Sequence, residues 1–260
     1  CSVAWFNPKS SHAELLRNAE GYEKTPSVVF YDRETGEVLV GTAAELMLDE
    51  EETSRDVKIG VKHDIGKDIL IHLGGKDRRP VEIAADIFRK LKRDAEQLHF
   101  KAPITTAVVT HPAAFDPTER ERLTEAATLA GFERVLLLSE PEAAAIAVTR
   151  AGVKIGNNLV VYDLGAGTFD LTLLLQTGDG NYRLPIGSRG KRCGGDDFDR
   201  ALYDHCDAAA RQQHGRGVGT DGQVDPQFMR ACRQRKENLS LRDRADFSSV
   251  LKGEPPIVFK

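Results

Sequence analysis

The stretch Val160-Val161-Tyr162-Asp163-Leu164-Gly165-Ala166-Gly167-Thr168-Phe169-Asp170 gathers the residue types that handle phosphate. An apolar run ends in Asp163, so its carboxylate projects from the edge of an expected strand. Gly165 and Gly167 allow positive φ and let backbone N–H groups come close to an anion. Thr168 adds a hydroxyl, and Asp170 adds a second carboxylate on the returning strand. Two carboxylates, a hydroxyl and bare amides suit a hydrated Mg²⁺ bridging to phosphate oxygens. The same spacing also fits an ordinary hairpin whose turn needs glycine and whose aspartates face water. No GxxxxGKS/T run occurs, which disfavours a P-loop NTPase.

Three further segments put polar residues or glycines where a strand ends, the usual ligand edge of an open α/β sheet. Glu140 in Ser139-Glu140-Pro141 lies at an expected helix N-terminus, where capping alone accounts for a carboxylate. Gly194-Gly195 precedes a helix and could form an anion nest or a plain loop. Lys62, in Val61-Lys62-His63-Asp64-Ile65-Gly66, is by itself one lysine among many. His111, between a strand and Pro112, is read as structural.

The elements that must carry these residues alternate between strand and helix. Val28–Tyr31 and Val38–Val40 flank a polar turn and predict a hairpin. A short helix is expected over 43–51, and a loop-rich, exposed segment over 52–79. Pro80 opens a long amphipathic helix through Ile83, Ile87, Leu91, Ala95 and Leu98. From 103 the order is strand, helix, strand, helix, strand. Asp116-Pro117-Thr118-Glu119 marks one helix start by its capping box. A helix is expected over 197–211 and another over 226–240, followed by strand-like segments at 247–250 and 257–259. The alternation argues an α/β fold, with the glycine-rich 152–157 stretch as hinge.

Composition narrows the classes. The 260 residues are 40% hydrophobic, enough for real cores, and carry a net charge of −4. That balance leaves no electrostatic footprint for nucleic acid or an anionic membrane. No apolar run approaches the ~20 residues of a membrane span, and the start does not resemble a secretory signal. Cys1, Cys193, Cys206 and Cys232 lack CxxC spacing and suggest reduced cytosolic thiols. A zinc site through His205 and Cys206 is disfavoured, since adjacent helical side chains diverge by about 100°. Cys1 in place of Met, followed by a strand-like tail at 2–6, suggests that the natural start lies upstream.

Five ordered stretches together resemble the nucleotide-binding domain of the 70-kilodalton heat-shock chaperones (DnaK type). They are Asn18–Gly21 with Thr25–Val29, Ala107–Phe115, Ser139–Ala147, Tyr162–Asp170 and Gly194–Asp199. The resemblance implies an actin-like (ribonuclease H-like) ATPase fold with two lobes, each a mixed sheet flanked by helices. Lobe I would span 1–155, with core 1–26 and 80–155 and a peripheral subdomain 27–79. An incomplete lobe II would span 156–260, with core 156–200 and a peripheral subdomain 201–260. The family's first phosphate loop would precede Cys1, and its second adenosine motif would follow Lys260.

By the same resemblance Asp163 would hold Mg²⁺ through water, and Gly165, Ala166 and Gly167 would line the β/γ-phosphates of ATP or ADP. Lys62 and Glu140 would orient and activate the attacking water, with Thr168 and Asp170 helping at the γ-phosphate. Gly194 and Gly195 would pass beside phosphates and ribose, and Arg233, Lys236 and Ser240 match positions contacting ribose and adenine. Pro112 and Arg120 resemble a relay that reports the bound nucleotide. The implied activity is slow, Mg-dependent ATP hydrolysis driving a protein-binding cycle. Clients and co-chaperones would be engaged through regions outside this chain, and nucleic acid and membrane are not expected partners. Three positions depart from the family pattern: Ala166 for a usual glycine, Arg233 for a ribose-binding glutamate, and Glu237 at an often basic site. These departures motivate an alternative, a non-catalytic interaction scaffold; a small-molecule kinase of the same superfamily is a third reading.

Overall fold

The chain's short apolar runs pair into several small sheets, some by tight hairpins and some across intervening helices. The computed structural model describes residues 1–49, 51–153, 156–178, 182–183, 189–191, 193–219, 224–249 and 257–259. They cluster into two units, residues 1–159 with 175–183 and residues 160–174 with 184–260.

In the first unit β1 (Val3–Asn7) and β2 (His12–Leu16) pair antiparallel. The sequence pattern does not mark β2, whose apolar Ala13 and Leu15 are exposed while Glu14 and Leu16 lie on the more buried face. The expected hairpin is present: β3 (Val28–Tyr31) is buried throughout and lies antiparallel to β4 (Val38–Val40). The helix expected over 43–51 is broken into α1 (Thr42–Leu46), a 3₁₀ turn at Met47–Asp49, and α2 (Glu51–Ser54).

The expectation of loops over 52–79 is corrected. There β5 (Val57–Ile59) adds to the other edge of β3, and β6 (Ile71–Leu73) and β7 (Lys76–Arg78) form a hairpin around Gly74-Gly75. Three-residue strands are too short for periodicity to register.

Helix α3 (Pro80–Asp94) buries Val81, Ile83, Ala84 and Ile87 against β3, β4 and the 61–65 segment. Ala95 continues the buried stripe, but Leu98 is exposed. The backbone switches to a π-helical turn at Ala95–Phe100, which rotates later side chains off the stripe before Lys101 ends it at φ 55°.

The site depends most on the next four elements. β8 (Thr106–His111) and β9 (Arg134–Ser139) are parallel, so their carboxyl ends, His111 and Ser139, lie side by side. The crossover is α4 (Pro117–Leu129), started by the expected Asp116/Glu119 capping box. After β9 the chain turns at once into α5 (Glu140–Arg150).

β10 (Asn158–Leu164) neighbours β11 (Phe169–Gln176), and both belong to the second unit from Val160 to Leu174. The edge strands β12 (Tyr182–Arg183) and β13 (Arg189–Lys191) pair antiparallel with β11, Tyr182 and Arg183 at the end belonging to the first unit. α6 (Gly195–His214) packs on α7 (Pro226–Leu239) over Tyr203, Cys206, Phe228 and Cys232, with Ile257 from the β14 (Phe247–Ser249) and β15 (Ile257–Phe259) pair. Cys206 and Cys232 are buried free thiols. No described helix is long and apolar enough to cross a membrane.

Gly74 has φ +59°, and a Cβ there would lie 2.6 Å from Tyr31 Cβ, whereas Gly75 at φ +71° faces open space. Gly75→Ala should cost about 1–2 kcal/mol of strain, and Gly74→Ala about 2–5 kcal/mol because the clash adds to it. Urea unfolding of the two variants measures the difference.

Asp56 and Asp64 supply a pH dependence. Burial opposes ionisation of both, but is outweighed at Asp56 by Arg33 and the Gly74 N–H, and at Asp64 by Lys58 and Lys67, so both pKa values fall below the usual range. The folded state then holds these protons more weakly than the unfolded chain. Their contribution should be complete above about pH 4 and lost as pH falls through the lower folded values. Asp56→Asn should flatten that acid limb in pH-dependent unfolding.

Candidate functional site

The second unit holds the phosphate-type segment. The Gly165 N–H donates to the Thr168 carbonyl at 2.8 Å and closes a four-residue turn between β10 and β11. Counting back from that pair sets Asp163 opposite Asp170 on one face of the two strands. Asp163 is half-buried, and Asp170 is only 2% exposed. Val160, Tyr162, Leu171 and Leu173 occupy the opposite, exposed face.

The turn is docked onto the start of α6. Gly195 N–H donates to the Gly165 carbonyl at 3.0 Å, and Asp196 N–H to the Ala166 carbonyl at 2.7 Å. Gly194 N–H is taken by Asp197 Oδ2 at 2.7 Å. These three amides therefore hold the protein together rather than forming an open anion nest. The amides of Ala166 and Gly167 have no partner among the described residues and are the donors left for an anion. A second expectation is also corrected: Gly165 does not use a left-handed φ. Ala166 is likewise absent from the left-handed region, so the turn accepts its Cβ. Gly194 is the glycine that space demands, because a Cβ there would lie 2.4 Å from Ala166 O and 2.7 Å from Gly165 O.

Helix α7 clamps the same corner. Arg233 Nε donates to Asp199 Oδ2 at 3.0 Å and its Nη2 to Asp196 Oδ1 at 2.5 Å. Lys236 Nζ reaches Asp199 Oδ1 at 2.7 Å and the Gly195 carbonyl at 2.8 Å. Burial works against the Arg233 charge, but Asp199 and Asp196 outweigh it and raise its pKa. Asp196 and Asp199 were not singled out from the sequence. The signal was there, as Asp-x-x-Asp opening one helix and Arg-x-x-Lys on another, each pair one turn apart. Ser240 caps α7 and is exposed, with its N–H on the Glu237 carbonyl.

The first unit holds the remaining residues. Lys62, on a 3₁₀ turn at Val61–Asp64, donates its Nζ to Glu140 Oε1 at 2.7 Å. Glu140 is not the cap of α5: Ser139 is, through a box in which Ser139 N–H meets Glu142 Oε2 at 3.3 Å. The Glu140 carboxylate is thereby free to meet Lys62. Lys62 Nζ also sits 5.8 Å from the centre of the Phe115 ring, a residue the sequence reading passed over. Pro112 is fully buried, and its carbonyl accepts the Phe115 N–H at 3.1 Å. Arg120, on α4, donates Nη1 to the Phe115 carbonyl at 3.0 Å. Pro112 and Arg120 thus meet at one turn, Pro112–Phe115.

The family model described as Hsp70 protein matches residues 1–252. The chain belongs to the heat-shock-70 family. It is 38% identical over 248 residues to the chaperone protein DnaK of Thermosipho africanus, covering 95% of this chain and 40% of that protein. The DnaK proteins of Thermosipho melanesiensis and Thermotoga maritima are each 36% identical over 250 residues, with the same coverage. The chain therefore spans about two-fifths of the length of these curated relatives. Family membership brings the actin-like ATPase fold, and the α/β make-up, several small sheets with helices between them, is consistent with it.

For a divalent cation the donor chemistry fits. Asp163 and Asp170 offer hard carboxylate oxygens on the strands flanking a turn whose Ala166 and Gly167 amides have no partner among the described residues. No described cluster of three or more His, Cys, Asp or Glu side chains could enclose a metal. An ion here would keep waters and phosphate oxygens as most of its ligands, as Mg²⁺ does.

The heat-shock-70 glutamate expected at position 233 would face Asp196 and Asp199 in this chain. Arg233→Glu should lower unfolding free energy by about 2–3 kcal/mol, discounted for the exposure of the arginine, and Arg233→Met by about half that. Guanidinium unfolding of both variants is the check.

Proposed function

We propose that this chain is the ATP-binding and slowly ATP-hydrolysing domain of a heat-shock-70 chaperone. The observation that carries the reading is the Gly165–Thr168 turn. Among the described residues it leaves the Ala166 and Gly167 amides without a partner, in a turn flanked in sequence by Asp163 and Asp170, while the start of α6 donates to the Gly165 and Ala166 carbonyls. Those amides would bind the terminal phosphates of ATP, and the Thr168 hydroxyl would add a donor at the γ-phosphate. Asp163, with Asp170 behind it, would hold Mg²⁺ through water; when bound, Mg²⁺ supplies charge neutralisation to the phosphates. The Gly194-Gly195 backbone would pass beside phosphates and ribose, and Arg233, Lys236 and Ser240 on α7 would stand toward ribose and adenine. Glu140 would orient the attacking water and accept its proton, and Lys62 would steady that carboxylate and add positive charge. The work is positioning and charge stabilisation, with no covalent intermediate on the protein.

The lobe division at 155/156, with peripheral segments 27–79 and 201–260, is part of the same proposal. So are the Pro112–Arg120 relay, client and co-chaperone binding through regions outside this chain, and a cytoplasmic site of action.

Mg-ADP at 100 times its Kd should stabilise the folded protein by about 2.7 kcal/mol, seen as a rise in melting temperature of several degrees. Asp163→Asn should remove the Mg-dependent part of that rise and abolish turnover in the complete protein. Glu140→Gln should lower turnover about 100-fold or more while nucleotide still binds. A melting temperature indifferent to Mg-ADP in the complete protein would refute the reading.

A further inference from the structure

His111 is a polar side chain only 7% exposed, and nothing above uses it. It ends β8 opposite Ser139, the residue before Glu140. Its Nδ1 lies 2.7 Å from the Pro112 carbonyl oxygen. A carbonyl can only accept, so Nδ1 carries the proton and donates. The same oxygen takes the Phe115 N–H, so imidazole and backbone close the Pro112–Phe115 turn together. The imidazole also lies nearly parallel to the Phe115 ring, 6.2 Å between centres and 16° between planes.

Phe115 is thus held at every handle it has. Its N–H goes to Pro112, its carbonyl to Arg120, and its ring meets both His111 and the Lys62 ammonium. Lys62 in turn carries Glu140. An apolar side chain would fill the end of β8 without the cost of burying an imidazole. The donated bond to Pro112 is what offsets that cost.

We propose that His111 is a positioning residue for the Lys62–Glu140 pair. Its Nδ1–H fixes the Pro112–Phe115 turn, and the turn fixes the aromatic platform on which Lys62 rests. This rests on the reading above that Lys62 and Glu140 serve ATP hydrolysis. With the donor removed, the Pro112 carbonyl keeps one bond, the turn loosens, and the Lys62 ammonium loses its register toward Glu140.

The test separates donor from ring in the complete protein. In His111→Asn the Nδ2 stands near the imidazole Nδ1, so the donor is kept and the ring lost. In His111→Phe the ring is kept and the donor lost. His111→Phe should slow single-turnover ATP hydrolysis about tenfold with nucleotide affinity changed less than about twofold, while His111→Asn stays within about threefold of wild type. In parallel, the Lys62 ε-methylene NMR resonance, displaced by the Phe115 ring in wild type, should move toward that of an exposed lysine in His111→Phe and hold in His111→Asn. Wild-type rate and resonance in His111→Phe would overturn the proposal, as would a parallel loss of stability and affinity in both variants. If wild type does not hydrolyse ATP, the ATPase reading fails and the resonance alone decides His111: a shift confined to His111→Phe upholds its role, and no shift overturns it.

Discussion

The second unit is organised around one contact that leaves no room for a side chain. Gly194 packs against the carbonyls of Gly165 and Ala166, and the next two amides donate to those carbonyls. Turn and helix start therefore cannot move independently. The Gly165 and Ala166 carbonyls are consumed by the protein, and the Ala166 and Gly167 amides have no partner among the described residues. Had Gly194 carried a Cβ, the helix would stand off and the carbonyls would lose their donors. The acidic residues that open α6 follow from this closeness. Asp197 takes the Gly194 amide, while Asp196 and Asp199 receive Arg233 and Lys236.

The first unit solves a different problem, holding a solvent-reached ion pair in one geometry. The Lys62 side chain is 48% exposed, so its bond to Glu140 contributes at most about 1 kcal/mol and cannot place itself. Placement comes from the scaffold instead. Parallel β8 and β9 end together, Ser139 caps α5 and leaves Glu140 unengaged, and the Pro112–Phe115 turn sets an aromatic ring beneath the lysine. Rigid neighbours substitute for interaction strength.

Much of this was legible in the chain. The capping boxes at Asp116/Glu119, the Pro80 helix start, the 28–40 hairpin and the strand–helix alternation after 103 are local signals, and local signals survive folding when nothing competes. The failures are equally physical. β2, β6 and β7 are too short or too polar to show a period, and Leu98 left its stripe because a π-turn changed the helical repeat. Glu140 was read as a cap because any carboxylate at a helix start is favoured there. Only the structure shows that Ser139 and Glu142 had already taken the task.

By itself the sequence determined the family, the strand–helix alternation after 103 and the glycine-containing turn between Asp163 and Asp170. Each is written in contiguous residues whose chemistry does not depend on what lies across the molecule. The tertiary structure decided what those residues have left to offer. It spent the Gly194, Gly195 and Asp196 amides on docking and kept those of Ala166 and Gly167 open. It turned Arg233 toward Asp196 and Asp199, and it joined Lys62 to Glu140, 78 positions away, over the ring of Phe115. Hydrogen-bond capacity is finite at each atom, and its allocation is settled only when distant segments compete for it.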